Sequence, residues 1–164
     1  MTSFAIRRMV AADAAMLKNL RLRALRDTPS AFGSTYEREV AFGDDVWIDR
    51  LGPQGNPHFV ALDLDAAVGM VAVVPHDERV RVAHLVGMWV DAPARGTGVA
   101  DALIDTAVDQ ARRSGFTTMI LWVVVGNERA ARCYQRHGFA LTGTEEWRER
   151  DGATEAEMSR DLAV

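Results

Sequence analysis

The sequence predicts an α/β (α+β) domain: a central mixed, mostly antiparallel, twisted sheet of about seven strands flanked by about four helices. Three observations predict it. Short β-type runs and amphipathic helical runs follow the order β-α-α-β-β-β-α-β-α-β-β. A strand, a glycine turn, a helix and a further strand form a crossover in the middle of the chain, flanked by hairpins. The run Thr117 to Val125 is almost unbroken apolar sequence, which predicts an inner strand with helices on either side.

Each element has a local reason. Phe4 to Val10 reads as a first strand, and Asp13 is expected to cap the helix after it. Leu17, Leu20 and Ala24 share one face of that helix, and Asp27-Thr28-Pro29 ends it. Ser30 to Tyr36 is a loop with two aromatics. A second helical stretch covers much of Tyr36 to Leu51, with a break expected at Phe42-Gly43-Asp44 and Val46, Trp47 and Leu51 as apolar anchors. Gly52 to Pro57 is a loop. His58–Asp63 and Ala67–Val74 form a hairpin, and Arg81–Val90 is the next strand. Ala100, Leu103, Ile104, Ala107, Val108 and Ala111 keep helical spacing up to Gly115. Asn127 caps a helix over Glu128–His137 that Gly138 ends, and Phe139–Trp147 and Thr154–Asp161 close the sheet.

The totals narrow the function classes. The 164 residues suit one domain, residues 1–164, with a full core. Hydrophobic residues make up 48% and charged ones 26%, which excludes a disordered chain. The net charge of −4 argues against nucleic acid as a partner. Cys133 is the single cysteine, so no internal disulfide forms and a reducing, cytoplasmic setting is expected. No signal peptide is read at the start, and Asp63 and Asp65 interrupt the longest apolar region, so no membrane span is expected.

The stretch from Val86 to Ile104 carries the chemistry. A strand stops at Asp91-Ala92-Pro93, Arg95-Gly96-Thr97-Gly98 turns, and a helix begins. A glycine turn opening a helix aims several free N–H groups one way, and the helix dipole adds positive potential. Such a junction suits a phosphate or pyrophosphate, with Arg95 as a mobile cation at its rim. It also serves as a plain connection, and both readings stand on the glycines alone. No Lys-Ser or Lys-Thr follows the second glycine, which disfavours a nucleotide P-loop. The third glycine of a dinucleotide fingerprint is missing.

Two motifs together carry a resemblance. Met88-Trp-Val-Asp-Ala-Pro-Ala-Arg-Gly-Thr-Gly-Val-Ala100 resembles the acetyl-CoA loop of the GNAT superfamily of N-acetyltransferases. Asn127-Glu-Arg-Ala-Ala-Arg-Cys-Tyr-Gln-Arg-His-Gly-Phe139 is similar to that superfamily's second signature. The segment Ala31-Phe-Gly-Ser-Thr35 is similar to many bacterial members.

The resemblance implies an acetyl-CoA-dependent N-acetyltransferase acting on a small-molecule or peptide amine. It implies that the main chain of Met88, Trp89 and Val90 pairs with the pantetheine arm. Arg95, Gly96, Thr97, Gly98, Val99 and Ala100 would hold the pyrophosphate, and Asn127 would bond the pantetheine as well as, or instead of, capping its helix. Tyr134 matches the family's general acid for the leaving thiolate. Where many members carry a glutamate base, this chain offers His84, read either as the base or as a partly exposed structural histidine. His84, Val86, Met88 and Val90 share a face if the strand is regular, and a bulge would change that. Phe32 and Tyr36 are expected to wall the acceptor pocket, with a weaker expectation for Trp47 and Trp147. Cys133 is read as a small buried hydrophobe rather than a nucleophile. No metal is expected, and analogy with the family points to a homodimer. The alternative function is a non-catalytic acyl-CoA-binding or regulatory domain.

Overall fold

The computed structural model describes residues 3–163. Seven strands form one sheet in the order β1-β2-β3-β4-β5-β7-β6. They are β1 (Ala5–Arg8), β2 (His58–Asp63), β3 (Ala66–Pro75), β4 (Val82–Val90), β5 (Thr118–Val124), β6 (Ala140–Arg148) and β7 (Ala153–Asp161). Every neighbouring pair is antiparallel except β4 with β5, which the crossover makes parallel. The five α-helices among the described residues are α1 (Ala14–Asp27), α2 (Tyr36–Val40), α3 (Asp44–Leu51), α4 (Val99–Arg113) and α5 (Glu128–Arg136). The break expected at Phe42-Gly43 is what separates α2 from α3.

The sheet is covered on both faces by different helices. Leu17, Leu20 and Ala24 of α1 and Trp47 of α3 pack with Val60, Met70 and Trp89 on one face. Leu103, Ile104, Ala107 and Val108 of α4 pack with Phe59, Val71, Leu85, Met119 and Met158 on the other. The apolar stripe read from the α4 sequence is therefore the stripe that is buried. No helix among the described residues is long and apolar enough to cross a membrane.

Two expectations change. Asp13 precedes α1 but makes no side-chain cap bond to it. Its carboxylate instead accepts from the Val10 N–H at 2.8 Å and pairs with Arg7, because a 3-10 turn over Ala11–Asp13 sits in front of the helix. The β5 strand is an inner strand, but helices do not cover both of its faces. Met119, Leu121 and Val123 meet the α4 core, while Trp122 and Val124 on the opposite face are only half-buried. There the 3-10 turn Pro29–Ala31 reaches β5 where a helix was expected. That uncovered face leaves room for a cavity.

Candidate active site

The site begins with a parting of strands. The parallel ladder between β4 and β5 consists of Val82↔Thr118, Ala83↔Met119 and His84↔Ile120, and it ends there. Both strands continue, β4 to Val90 and β5 to Val124. A β-bulge in β4 accompanies the parting: Met70 pairs with Trp89 and Ala72 with Val86, so three residues of β4 span what two of β3 span. Gly87 carries the bulge at φ +63°, a left-handed conformation that glycine adopts at little cost. The bulge bends β4 and leaves a wedge-shaped gap in the sheet.

The bulge also reverses which side chains share a face. His84 and Val86 lie on the α1 side with Trp89, while Leu85 and Met88 pack on the α4 side with Val90. The single face expected for His84, Val86, Met88 and Val90 is thus split, because the extra residue shifts the two-residue period by one.

A cavity of about 510 Å³ follows the gap. Arg21, Phe32 and His84 line it on the α1 side, Met88 and Trp122 along the strands, and Tyr134 of α5 from the opposite side. Tyr134 reaches this space although α5 packs against the α4 core, because the parted strands leave a passage. His84 and Tyr134 therefore approach one cavity from opposite faces of the sheet.

The glycine turn lies at the C-terminal end of β4. Gly96 and Gly98 take φ +77° and +92°, and nothing within 4 Å would meet a Cβ at Gly96. The backbone N–H groups of Gly96, Thr97, Gly98, Val99, Ala100 and Asp101 make no hydrogen bond of good geometry to any described residue. Six successive free donors at the start of a 15-residue helix form an anion seat.

Arg95 differs from its expected part. Its guanidinium is ion-paired with Asp27 and donates to the Val90 carbonyl at 2.9 Å, and its N–H bonds Ala92 O at 3.2 Å. It is a brace rather than a mobile rim cation. The Trp89 indole donates to the same Asp27 at 3.1 Å. That hydrogen bond first, and Arg95 second, hold the Asp27 carboxyl below its usual range. The network ties the end of α1 to the end of β4.

The electrostatics separate the two candidate catalytic groups. Burial lowers the His84 pKa, and the neighbouring His76 and Arg79 lower it further against the opposing pull of Glu157 and Asp77. His84 therefore stays neutral, with a free lone pair, near pH 7. Burial raises the Tyr134 pKa, so its phenol keeps its proton. The Tyr134 hydroxyl has no hydrogen-bond partner among the described residues. Burial likewise raises the Cys133 thiol, whose sulfur lies 3.9 Å from Asp101 Oδ1 and which does not line the cavity.

Asn127 is exposed and caps α5, its side-chain oxygen accepting from the Ala130 N–H at 3.3 Å. On the acceptor side, Phe32 lines the cavity under Arg21, whose Cζ sits 4.8 Å from the ring centroid. Tyr36 does not line it: its ring lies under Arg26 at 4.1 Å. Trp47 is 1% exposed in the core and Trp147 is 66% exposed on β6, so neither walls the cavity.

Local sequence carries little signal of the charged groups around this space. Glu39 of α2 is 1% exposed and sits between two arginines. Arg21 Nε contacts both of its oxygens at 3.1 Å, Arg21 Nη2 contacts Oε2 at 3.0 Å, and Arg50 Nη1 contacts Oε1 at 3.2 Å. Burial alone would push the Glu39 carboxyl up, but Arg21 and Arg50 outweigh it and hold it low. Arg50, His58, Trp122 and Glu155 line the cavity as well.

Known structures share this architecture. A GNAT-family acetyltransferase from Streptococcus pneumoniae superposes with a TM-score of 0.79 at 20% identity, covering 97% of this chain and 99% of that one. The Salmonella typhimurium protein yncA, solved with its cofactor acetyl-CoA, gives 0.78 at 19% identity, covering 98% and 94%. At these identities the likeness is one of fold. Human N-acetyltransferase 8 is 32% identical over 102 residues, which is 60% of this chain and 45% of the human protein, so the match spans about half of that relative's length. The family model described as the acetyltransferase (GNAT) family matches residues 18–139, from α1 through the end of the second signature. With seven strands in this order, a parted β4–β5 pair and that match, the chain belongs to the GNAT acetyltransferase family.

Proposed function

We propose that the protein transfers an acetyl group from acetyl-CoA to a primary amine by direct attack, with both substrates bound at once. The observation that carries this reading is the passage between β4 and β5, which His84 and Tyr134 approach from opposite faces. The residues present fit the thioester. Six free N–H groups from Gly96 to Asp101 suit a pyrophosphate, and the β4 edge beyond His84 lacks a ladder partner, so it can accept an amide-bearing arm as an added strand. When bound, acetyl-CoA supplies a carbonyl carbon open to an amine lone pair.

Each residue then has one task. Met88, Trp89 and Val90 offer main-chain groups to the arm, although Arg95 already occupies the Val90 carbonyl. Asn127 contributes its free NH2 while its oxygen caps α5. An ammonium has no lone pair, so neutral His84 takes one proton from the acceptor, directly or through water. A β4 N–H near Met88 donates to the carbonyl oxygen as negative charge collects there. Tyr134 gives its proton to the departing sulfur and regains one from the acylated nitrogen as that nitrogen sheds its second proton, and its burial keeps the phenol protonated beforehand. Phe32 walls the acceptor side.

The test is thiol release from acetyl-CoA across a panel of primary amines, paired with calorimetry of acetyl-CoA alone. The reading expects binding and amine-dependent release. Binding without transfer to any amine would favour a non-catalytic acyl-CoA-binding domain.

A further inference from the structure

Arg21 is committed to Glu39 through only part of its guanidinium. Nε and Nη2 contact the carboxylate, the guanidinium lies over the Phe32 ring, and Nη1 has no hydrogen-bond partner among the described residues. That free nitrogen lies 3.8 Å from where a side chain on Gly87 would begin. Gly87 is the bulge residue at the mouth of the gap, so the missing side chain leaves Nη1 facing the cavity beside the reaction passage.

The charges around that corner do not cancel. Arg21 and Arg50 share one carboxylate, Glu39, which leaves one positive charge over. The other acidic group on the lining, Glu155, is paired with Arg148 at 2.9 Å; Arg148 also holds Asp151, which lies 3.8 Å from Arg150, so this second cluster sets two arginines against two carboxylates. Burial lowers the nearby His58 pKa, so that ring adds no cation and leaves the surplus on the arginines. A polycationic amine would meet repulsion here. A carboxylate would meet a free, part-buried guanidinium N–H, the arrangement in which a charge-assisted hydrogen bond is strong.

We infer that the acceptor is a carboxylate-bearing primary amine, an amino-acid-like small molecule whose carboxylate is received by Arg21 Nη1 while its amine points into the β4–β5 passage. This rests on the acetyl-transfer reading above. Arg21 acts here as a specificity-determining residue and Glu39 as the group that holds it in place.

The test compares each of a set of L-amino acids with its own carboxamide as acetyl acceptor. Amidation lowers the basicity of the amine, which by itself favours the amide, so a preference for the acid reports recognition of the carboxylate. The inference expects kcat/KM for the acid to exceed that for the amide by about tenfold or more, expressed mainly in KM. The variant Arg21→Met removes the guanidinium and leaves Glu39 paired one-to-one with Arg50, so no lone buried charge remains. In it the acid-to-amide ratio should fall to about one. Equal or better use of the amide by the unaltered protein would overturn the inference while leaving acetyl transfer intact, as would an Arg21→Met variant that keeps the preference. Uptake of acetyl-CoA with no transfer to any amine, acid or amide, would overturn both readings.

Discussion

His84 pairs with Ile120 on the last rung of the parallel ladder, and beyond that rung β4 and β5 separate. The candidate base is thus fixed where the sheet opens. Its backbone is held on both sides, by Val74 on β3 and by Ile120 on β5, while its side chain borders the cavity. A group at this position is rigid and next to the passage, which is what proton transfer in a short-lived complex requires.

The pH dependence of kcat/KM tests that role. The His84 pKa is lowered by burial, so the neutral, proton-accepting form persists below the usual histidine value. Activity should fall on the acid side as His84 becomes protonated, with a midpoint below that of an ordinary histidine. His84→Ala should lose this limb along with about 10² or more of the rate. An unchanged profile in that variant removes His84 from the chemistry.

Tyr134→Phe removes the hydroxyl and keeps the ring that meets Phe139 edge-on at 6.0 Å. The expected result is a fall in kcat of about 10²-fold or more, with the calorimetric affinity for acetyl-CoA nearly intact. If kcat holds, the sulfur takes its proton from elsewhere.

Gly98→Ala asks a non-glycine residue to sit at φ +92° immediately before α4. The strain costs roughly 1–2 kcal/mol, and relief of it turns the N–H groups away from a common focus. Acetyl-CoA affinity should drop by about tenfold or more in a titration, with helix content by circular dichroism preserved. Undiminished affinity would place the pyrophosphate away from this turn.

Glu39→Ala leaves two guanidinium groups without their shared counter-ion in a part-buried site. The expected loss is about 3–5 kcal/mol, a fall in Tm on the order of 10 °C by calorimetry. The folded-state pKa of Glu39 is lowered, so its ionised form contributes fully above the ordinary carboxylate range. That contribution fades as pH falls through the lowered value, and the stability gap to Glu39→Gln should narrow in acid. A gap that is flat with pH would show that the charge is not what stabilises the site.

What the sequence revealed follows the strength of the local signals. The α4 stripe, the β5 strand and the Asn127 cap are each set by nearby residues and are found as read, whereas the helix expected on the second face of β5 depends on long-range packing and is absent among the described residues. The bulge at Gly87 depends on pairing with β3, a long-range contact that Val86-Gly-Met88 alone does not declare. Arg95 read as a free cation because its partner Asp27 lies far away in sequence. Tyr36 read as a pocket wall because aromatic character does not tell which neighbour covers the ring. Glu39 was missed because Tyr-Glu-Arg-Glu-Val reads as a solvated face, and only the fold decides that Glu37 is exposed while Glu39 is enclosed.

A crystal structure of the protein with acetyl-CoA bound tests the central claim most directly. The account predicts the pyrophosphate against the N–H groups of residues 96–101, the arm along β4 beyond His84, and the thioester in the passage with Tyr134 beside the sulfur. A thioester bound elsewhere, or a passage closed by continued β4–β5 pairing, would contradict it.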